Sequence, residues 1–207
     1  AIRKYAKLAK YIDCDFERKT NYVYSINNRK ILEREMDILT KLGFDAIFTE
    51  YTELPFRVAG AVRFENQAQF HPLKFVAALA KHLHIYEHTY VKELKPHVAV
   101  SNRGNISFDQ VIFATHFPID NKHGMYFMKL YQHRSYVISY EQAQNVEGMY
   151  VDEAMGGMSF RNYGDSLLIG GGDHRTGKQG GAWKEIERFA RENYKEAREV
   201  ARWATQD

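Results

Sequence analysis

Cysteine is almost absent from this chain. Cys14 stands alone among 207 residues, which excludes an internal disulfide and any multi-cysteine zinc or iron–sulfur site within it. That usage fits a reducing compartment, and a cytoplasmic protein is expected. Long apolar runs are missing too: none approaches the ~20 residues of a membrane span, and no basic-then-apolar leader opens the chain. Charge of one sign is equally scarce. With 29 Lys+Arg against 26 Asp+Glu the formal excess is +3, and the two signs are interleaved, so a nucleic-acid footprint is not supported. No G-x-G-x-x-G follows a strand pattern, so the loop that seats a dinucleotide pyrophosphate on a helix N-terminus is lacking. The chain starts inside one helix-like pattern and stops just after another, and both ends read as cut.

What is present is a ring-rich, globular composition: 44% apolar residues, 14 Tyr and 13 Phe. It does not resemble a disordered chain, and its length suits one domain, or one large and one small. Apolar periodicity places helices over residues 1–12, from an Asn27 or Asn28 cap to Leu42 with Gly43 as the stop, and from His71-Pro72 through Leu83. Strand patterns cover 22–26, 44–51 more weakly, and 61–64. They then follow one another over 84–88, 90–94, 98–101, 106–108 and 111–114. A loop with Pro118, Asn121 and Gly124 leads to further strands over 134–140, 149–152, 158–161 and 167–170. A last helix is expected to carry Ile186, Ala190, Ala197, Val200 and Ala201 on one face, with the charges of 184–202 on its solvated side.

The most informative run is Leu167-Leu168-Ile169-Gly170-Gly171-Gly172-Asp173-His174. Three apolar residues are too few for a helix and suit a buried strand, which the glycines are expected to end in a tight turn or a close approach to a ligand. By itself the run also reads as a turn with a surface histidine. Arg161 lies on the preceding strand of the same hairpin, and a guanidinium suits a carboxylate through paired donors. Tyr136 and Tyr163 offer hydroxyl donors nearby. Each has a plainer role: Arg161 pairing with Asp165 or Glu153, and the tyrosines packing as rings. His82, His84 and His88 invite a metal reading, with His82 and His84 on one face of a strand. Zinc asks for three or four placed ligands, and a helix-to-strand switch would separate these, so no metal site is expected.

A second segment shifts the balance. Phe70-His71-Pro72 opens a helix of the form "P..F...LA", a strand follows with Val91 in a "V..L" pattern, and a meander ends at Ala114-Thr115. Here the chain resembles the FAD-dependent oxidoreductases of the D-amino-acid oxidase superfamily, which includes glycine and sarcosine oxidases. The resemblance implies FAD near Val91, Ala114 and Thr115; the family glycine that follows is His116 in this sequence. It implies His174 beside the flavin, with Arg161, Tyr136 and Tyr163 as the other catalytic or substrate-binding candidates. The Asp13-Cys14-Asp15-Phe16 and Gln67-Ala68-Gln69-Phe70-His71-Pro72 runs resemble a subgroup that adds a C-terminal Rieske domain.

The implied fold is mixed α+β: a largely antiparallel substrate-domain sheet packed with helices, plus a small β-meander of the FAD domain. The implied division gives 1–70 and 117–182 to the substrate-binding part, and 71–116 and 183–207 to a remnant of the FAD domain. The implied activity is hydride transfer from an amine or amino acid to the flavin, with the rest of the parent chain as the missing partner. A non-catalytic binding module on the same fold and a histidine-based metal hydrolase are the rival readings. Since the pyrophosphate loop is lacking, the 207-residue chain purified alone is expected to be colourless, its FAD supplied only in the full-length parent. An absorbance spectrum with close to one flavin per chain would overturn this.

Overall fold

Leu167, Leu168 and Ile169 lie buried in the middle of a wide sheet in the computed structural model, which describes residues 1–117, 119 and 124–206. The first half of the chain runs α1 (Ile2–Leu8), β1 (Glu17–Ser25), α2 (Arg29–Lys41), β2 (Ile47–Thr49), β3 (Gly60–Gln69) and α3 (Pro72–Ala80). Then come β4 (Val91–Lys95), β5 (Val98–Ser101), β6 (Gly104–Ser107) and the single turn α4 (Tyr126–Lys129). The last part holds β7 (His133–Glu141), β8 (Met149–Asp152), β9 (Ser159–Tyr163), β10 (Ser166–Arg175), α5 (Ala182–Asn193) and β11 (Arg198–Gln206).

Eight strands in the order β11-β7-β10-β9-β8-β1-β3-β2 form the large sheet, and β4-β5-β6 form a small one. The described pairings are antiparallel except that of β1 with β8. This is a mixed, largely antiparallel α+β fold. No helix among the described residues is long and apolar enough to cross a membrane.

Local chemistry explains the helix boundaries. The Asn28 side chain accepts from Ile31 N at 3.3 Å and caps α2, and Gly43 takes φ +72 just past its end. At α3 the His71 ring accepts from Lys74 N at 3.3 Å, and Pro72 occupies the first turn, where no N–H is needed.

Strand alternation then sorts the side chains to two faces. Leu167 and Ile169 of β10, Phe160 of β9, Ile138 and Tyr140 of β7 and Tyr24 of β1 pack with Ile186 and Ala190 of α5. Phe56, Phe160 and Phe189 add a ring cluster there, with centroids 5.3–5.9 Å apart. On the other face Leu32 and Leu39 of α2 cover Val62 and Val23, at the β1-β3-β2 end. The two helices therefore shield opposite faces at opposite ends of the sheet. The face of β7, β10, β9 and β8 turned away from α5 is not covered by α2.

Several sequence expectations are corrected. β10 does not end at its glycines but runs to Arg175, because a bulge between Gly171 and His174 absorbs the irregularity. Gly172 sits in that bulge at φ +66, where an added Cβ would lie 2.2 Å from Ala182 O. The last helix ends at Asn193, and residues expected to continue it form β11 beside β7. Residues 198–206 thus pair into the large sheet beside β7. Residues 84–88 and 111–114 form no strand, and α4 stands in the loop after Gly124. Pro118 and Asn121 lie outside the described residues.

Because Ile186 is fully buried between α5 and the sheet, Ile186→Ala should cost about 2–5 kcal/mol. Val200→Ala, on the exposed face of β11, should stay within roughly 0.5 kcal/mol. Urea denaturation of the two variants checks the contrast.

Candidate active site

Arg161 is the central charge of the uncovered half-face. It stands on β9 opposite Leu168 of β10 and Met149 of β8, and it lines a cavity of about 210 Å³ with Val137, Ser159, Gly170 and Trp203. That is below the ~300 Å³ at which drug-sized pockets begin, so the space suits a small molecule. Among the described residues no carboxylate lies within 4.0 Å of the guanidinium. The plainer alternative, pairing with Asp165 or Glu153, does not occur, and the Glu153 carboxylate accepts from Ser25 Oγ at 2.9 Å instead. Arg161 donates from one terminal nitrogen to Gln69 Oε1 at 3.2 Å. Burial lowers its pKa, since the charged form has lost water without gaining a counter-ion.

His174 and Tyr136 are brought together, but elsewhere. His174 Nδ1 lies 3.0 Å from Arg175 O, so it donates there, which leaves Nε2 to accept from the Tyr136 hydroxyl at 2.8 Å. Tyr136 packs edge-on against Trp183 of α5, with centroids 4.8 Å apart. The β-carbon that Gly180 lacks would fall 2.4 Å from His174 Cβ. This pair therefore occupies the α5 face, whereas Arg161 projects from the opposite one. The sheet does not bring His174 and Arg161 into one pocket.

Tyr163 shares the Arg161 face at the far end of β9, yet its hydroxyl is committed. It donates to Asp15 Oδ2 at 2.6 Å, and Lys74 of α3 pairs with the same carboxylate at 2.8 Å. The His71 ring packs edge-on against Tyr163 at 5.7 Å. Hydrogen bonds from Lys74 and then Tyr163 lower the pKa of Asp15, and the bond to Asp15 raises that of Tyr163. This cluster ties α3 and the loop after α1 to the end of β9.

The residues expected near FAD lie in the segment of the small sheet. Val91 opens β4, half-buried opposite Ser101. Ala114, Thr115 and His116 are exposed and follow the small sheet without joining it. His116 takes φ +63, a left-handed conformation that favours glycine although the residue is histidine. Exposed backbone and a tight turn fit one flank of a cofactor; the phosphate-seating loop is not among these 207 residues. His82, His84 and His88 lie in the irregular segment after α3, and among the described residues no three His, Cys, Asp or Glu side chains are placed to hold a metal.

Two contributors to the site escaped the sequence reading. Trp203 lines the cavity because residues 198–206 form a strand; Val200, Trp203 and Thr205 were the available signal, as β-formers. Gln69 entered only as part of a resembling run, and no residue-level pattern points to its contact with Arg161.

Comparison with known proteins bears on the fold and the family. Residues 1–205 match the family described as FAD dependent oxidoreductase. A Bacillus subtilis (strain 168) protein named for a Rieske 2Fe-2S iron-sulfur protein, YhfW, is 30% identical over 183 residues, 81% of this chain. The chain spans only 36% of that relative. Glycine oxidase from Bacillus cereus ATCC 14579 superposes with a TM-score of 0.78 at 18% identity, covering 99% of this chain and 66% of that one. Glycine oxidase from Geobacillus kaustophilus gives 0.79 at 16%, covering 99% and 64%. L-amino acid deaminase from Proteus vulgaris gives 0.70 at 11%, covering 99% and 68%. At these identities the superpositions speak for the fold.

The Asp15 cluster has a definite pH signature. Its folded pKa is depressed, so its stabilising contribution is present above the unfolded value of about 3.9 and is lost as pH falls through the folded value. Asp15→Asn should flatten the acid limb of stability below about pH 4. Thermal unfolding across that range checks it, and an unchanged acid limb would count against the cluster.

Proposed function

The chain belongs to the FAD dependent oxidoreductase family, and from that premise we propose that it forms the substrate-binding part of an enzyme that oxidises an amine or amino acid. The observation that carries this reading is Arg161: a half-buried guanidinium, without a carboxylate partner among the described residues, lining a small cavity on a half-face of the sheet that neither α2 nor α5 covers. A charge left in that state is well suited to an anionic group of a ligand, and a planar fork of donors suits a carboxylate best.

In the full-length parent, bound FAD would supply the acceptor for the hydride equivalent removed from the C–H beside the substrate nitrogen. The chain's own residues do the rest. Arg161 binds the carboxylate and so sets which carbon is presented. Leu168, Val137 and Trp203 form the apolar walls that keep water from competing for the guanidinium. Val91, Ala114, Thr115 and His116 would flank the cofactor through exposed backbone. His174 and Tyr136, held on the α5 face, act through the backbone: their hydrogen bond fixes the bulged end of β10 behind the cavity. Tyr163 anchors the end of β9 to Asp15.

We assign residues 1–70 and 117–206 to the substrate-binding part, with 183–206 included on the pairing of β11 with β7. Residues 71–116 are assigned to the FAD domain, whose remainder lies in the parent chain. Their exposed apolar side chains, among them Leu73, Ile85, Tyr86, Tyr90 and Ile112, form the kind of surface that another part of a protein covers. The name of the Bacillus relative supports placing the parent in the subgroup that adds a Rieske domain.

In the full-length flavoprotein, Arg161→Ala should raise KM for an amino-acid substrate roughly ten- to a hundredfold, as expected for loss of about 1.5–3 kcal/mol of charged hydrogen bonding. The effect on kcat should be smaller. Steady-state kinetics decide the matter, and an unchanged KM would overturn the carboxylate role.

A further inference from the structure

Gln69 closes β3 and is only 8% exposed, yet every polar atom of its side chain is used. Its Oε1 accepts from Arg161 at 3.2 Å, while its Nε2 donates to Glu17 Oε2 at 2.8 Å and to Asn162 O at 2.9 Å. This orientation of the amide is forced. Turned over, its NH2 would face the guanidinium, donor against donor, and its oxygen would face a carboxylate and a carbonyl, acceptor against acceptor. Water has little access with which to relieve either clash.

We propose that Gln69 is the positioning residue for Arg161 and that it makes the site selective for substrates bearing a carboxylate. The inference rests on the carboxylate role given to Arg161 above. A neutral carbonyl holds the guanidinium in place without cancelling its charge. Of the five N–H donors of arginine, the bond to Gln69 engages one, which leaves donors for a two-point contact with an incoming carboxylate.

Glu17 supports the arrangement from behind. It is the cross-strand partner of Gln69 and ion-pairs with Lys19 at 3.0 Å. Burial pushes its pKa up, but the hydrogen bonds from Lys19 and Gln69 outweigh this, so the carboxyl titrates below its usual range. The ionised carboxylate pulls on the Gln69 N–H and makes the amide oxygen a better acceptor for Arg161. Its own charge is met by Lys19. The acid stays one amide away from Arg161, and the ligand's carboxylate takes the position that a direct partner would fill.

A glutamate at position 69 would break this logic, since its carboxylate would pair with Arg161 and occupy the ligand's place. The test uses the full-length flavoprotein and a panel of amino acids with their matching amides, measuring KM and kcat for each. Wild type should favour the acids over the amides. Gln69→Glu should erase at least about tenfold of that preference, acting on KM far more than on kcat, as expected when a charge-assisted pair is already satisfied. Gln69→Met, which cannot ionise, should weaken acid binding less and serves if the glutamate variant fails to fold. Flavin content and thermal unfolding identify that failure.

If Gln69→Glu and Gln69→Met both keep the wild-type preference while Arg161→Ala abolishes it, the role of Gln69 is overturned and that of Arg161 stands. If Arg161→Ala keeps the preference, or wild type shows none, the carboxylate reading falls and this inference with it.

Discussion

The two-residue period of a β-strand governs where chemistry is possible in this molecule. Each strand of the large sheet sends alternate side chains to opposite faces, and each face needs cover wherever it is apolar. α5 covers one face over β7, β10 and β9, and α2 covers the other over β1, β3 and β2. Neither helix reaches the remaining half of the α2 face. There the strands carry Arg161, Ser159 and Trp203 instead of a continuous apolar layer. The same alternation that buries Phe160 and Asn162 against the α5 side turns Arg161 outward. A one-residue slip of β9 would place the guanidinium in the ring cluster and phenylalanine in the cavity.

Holding a guanidinium half-buried is a problem with few solutions. A carboxylate beside it would satisfy both charges and close the site. An apolar neighbour would leave a desolvated charge unsupported, at a cost of several kcal/mol. A buried amide stands between these outcomes: it orients the charge through one hydrogen bond and leaves the field intact. The arrangement works because the amide has its own partners. Asn162 O and Glu17 fix its direction, and these come from β9 and β1, strands already locked into the sheet.

Much of the fold was legible in the sequence because it is written in local terms. The Asn28 cap, the His71-Pro72 helix start and the apolar run of β10 are each set by a few adjacent residues. Arg161 stood out for the same reason, as a guanidinium beside a buried hairpin. What was not legible depends on pairing at a distance. Residues 198–206 carry alternating charges that suit a helix, yet Arg198 pairs with Glu141 across to β7, and Trp203 lies against Val137. Residues 111–114 have the apolar content of a strand but pair with none of the described strands. The separation of His174 from Arg161 follows from strand register, which no stretch of neighbouring residues states. Gln69 and Arg161, 92 positions apart, meet only through the register of four strands, β3, β1, β8 and β9.

The segment 71–116 shows how far the described residues can account for themselves. α3 buries only Phe75, which packs on Tyr5 and Phe70, while Leu73, Val76 and Leu79 remain exposed. Among the described residues the small sheet makes no comparable packing with the large one, and a three-stranded meander with a largely open face is marginal by itself. What attaches this segment to the large sheet near β9 is chiefly polar: Lys74 on Asp15, Tyr163 on the same carboxylate, and His71 N on Cys14 O at 2.7 Å. Directional contacts of this kind define an angle between two bodies better than apolar contact does. Apolar surface on one side and a directional tether on the other fit the role proposed for this segment, with the tether setting its alignment to Arg161.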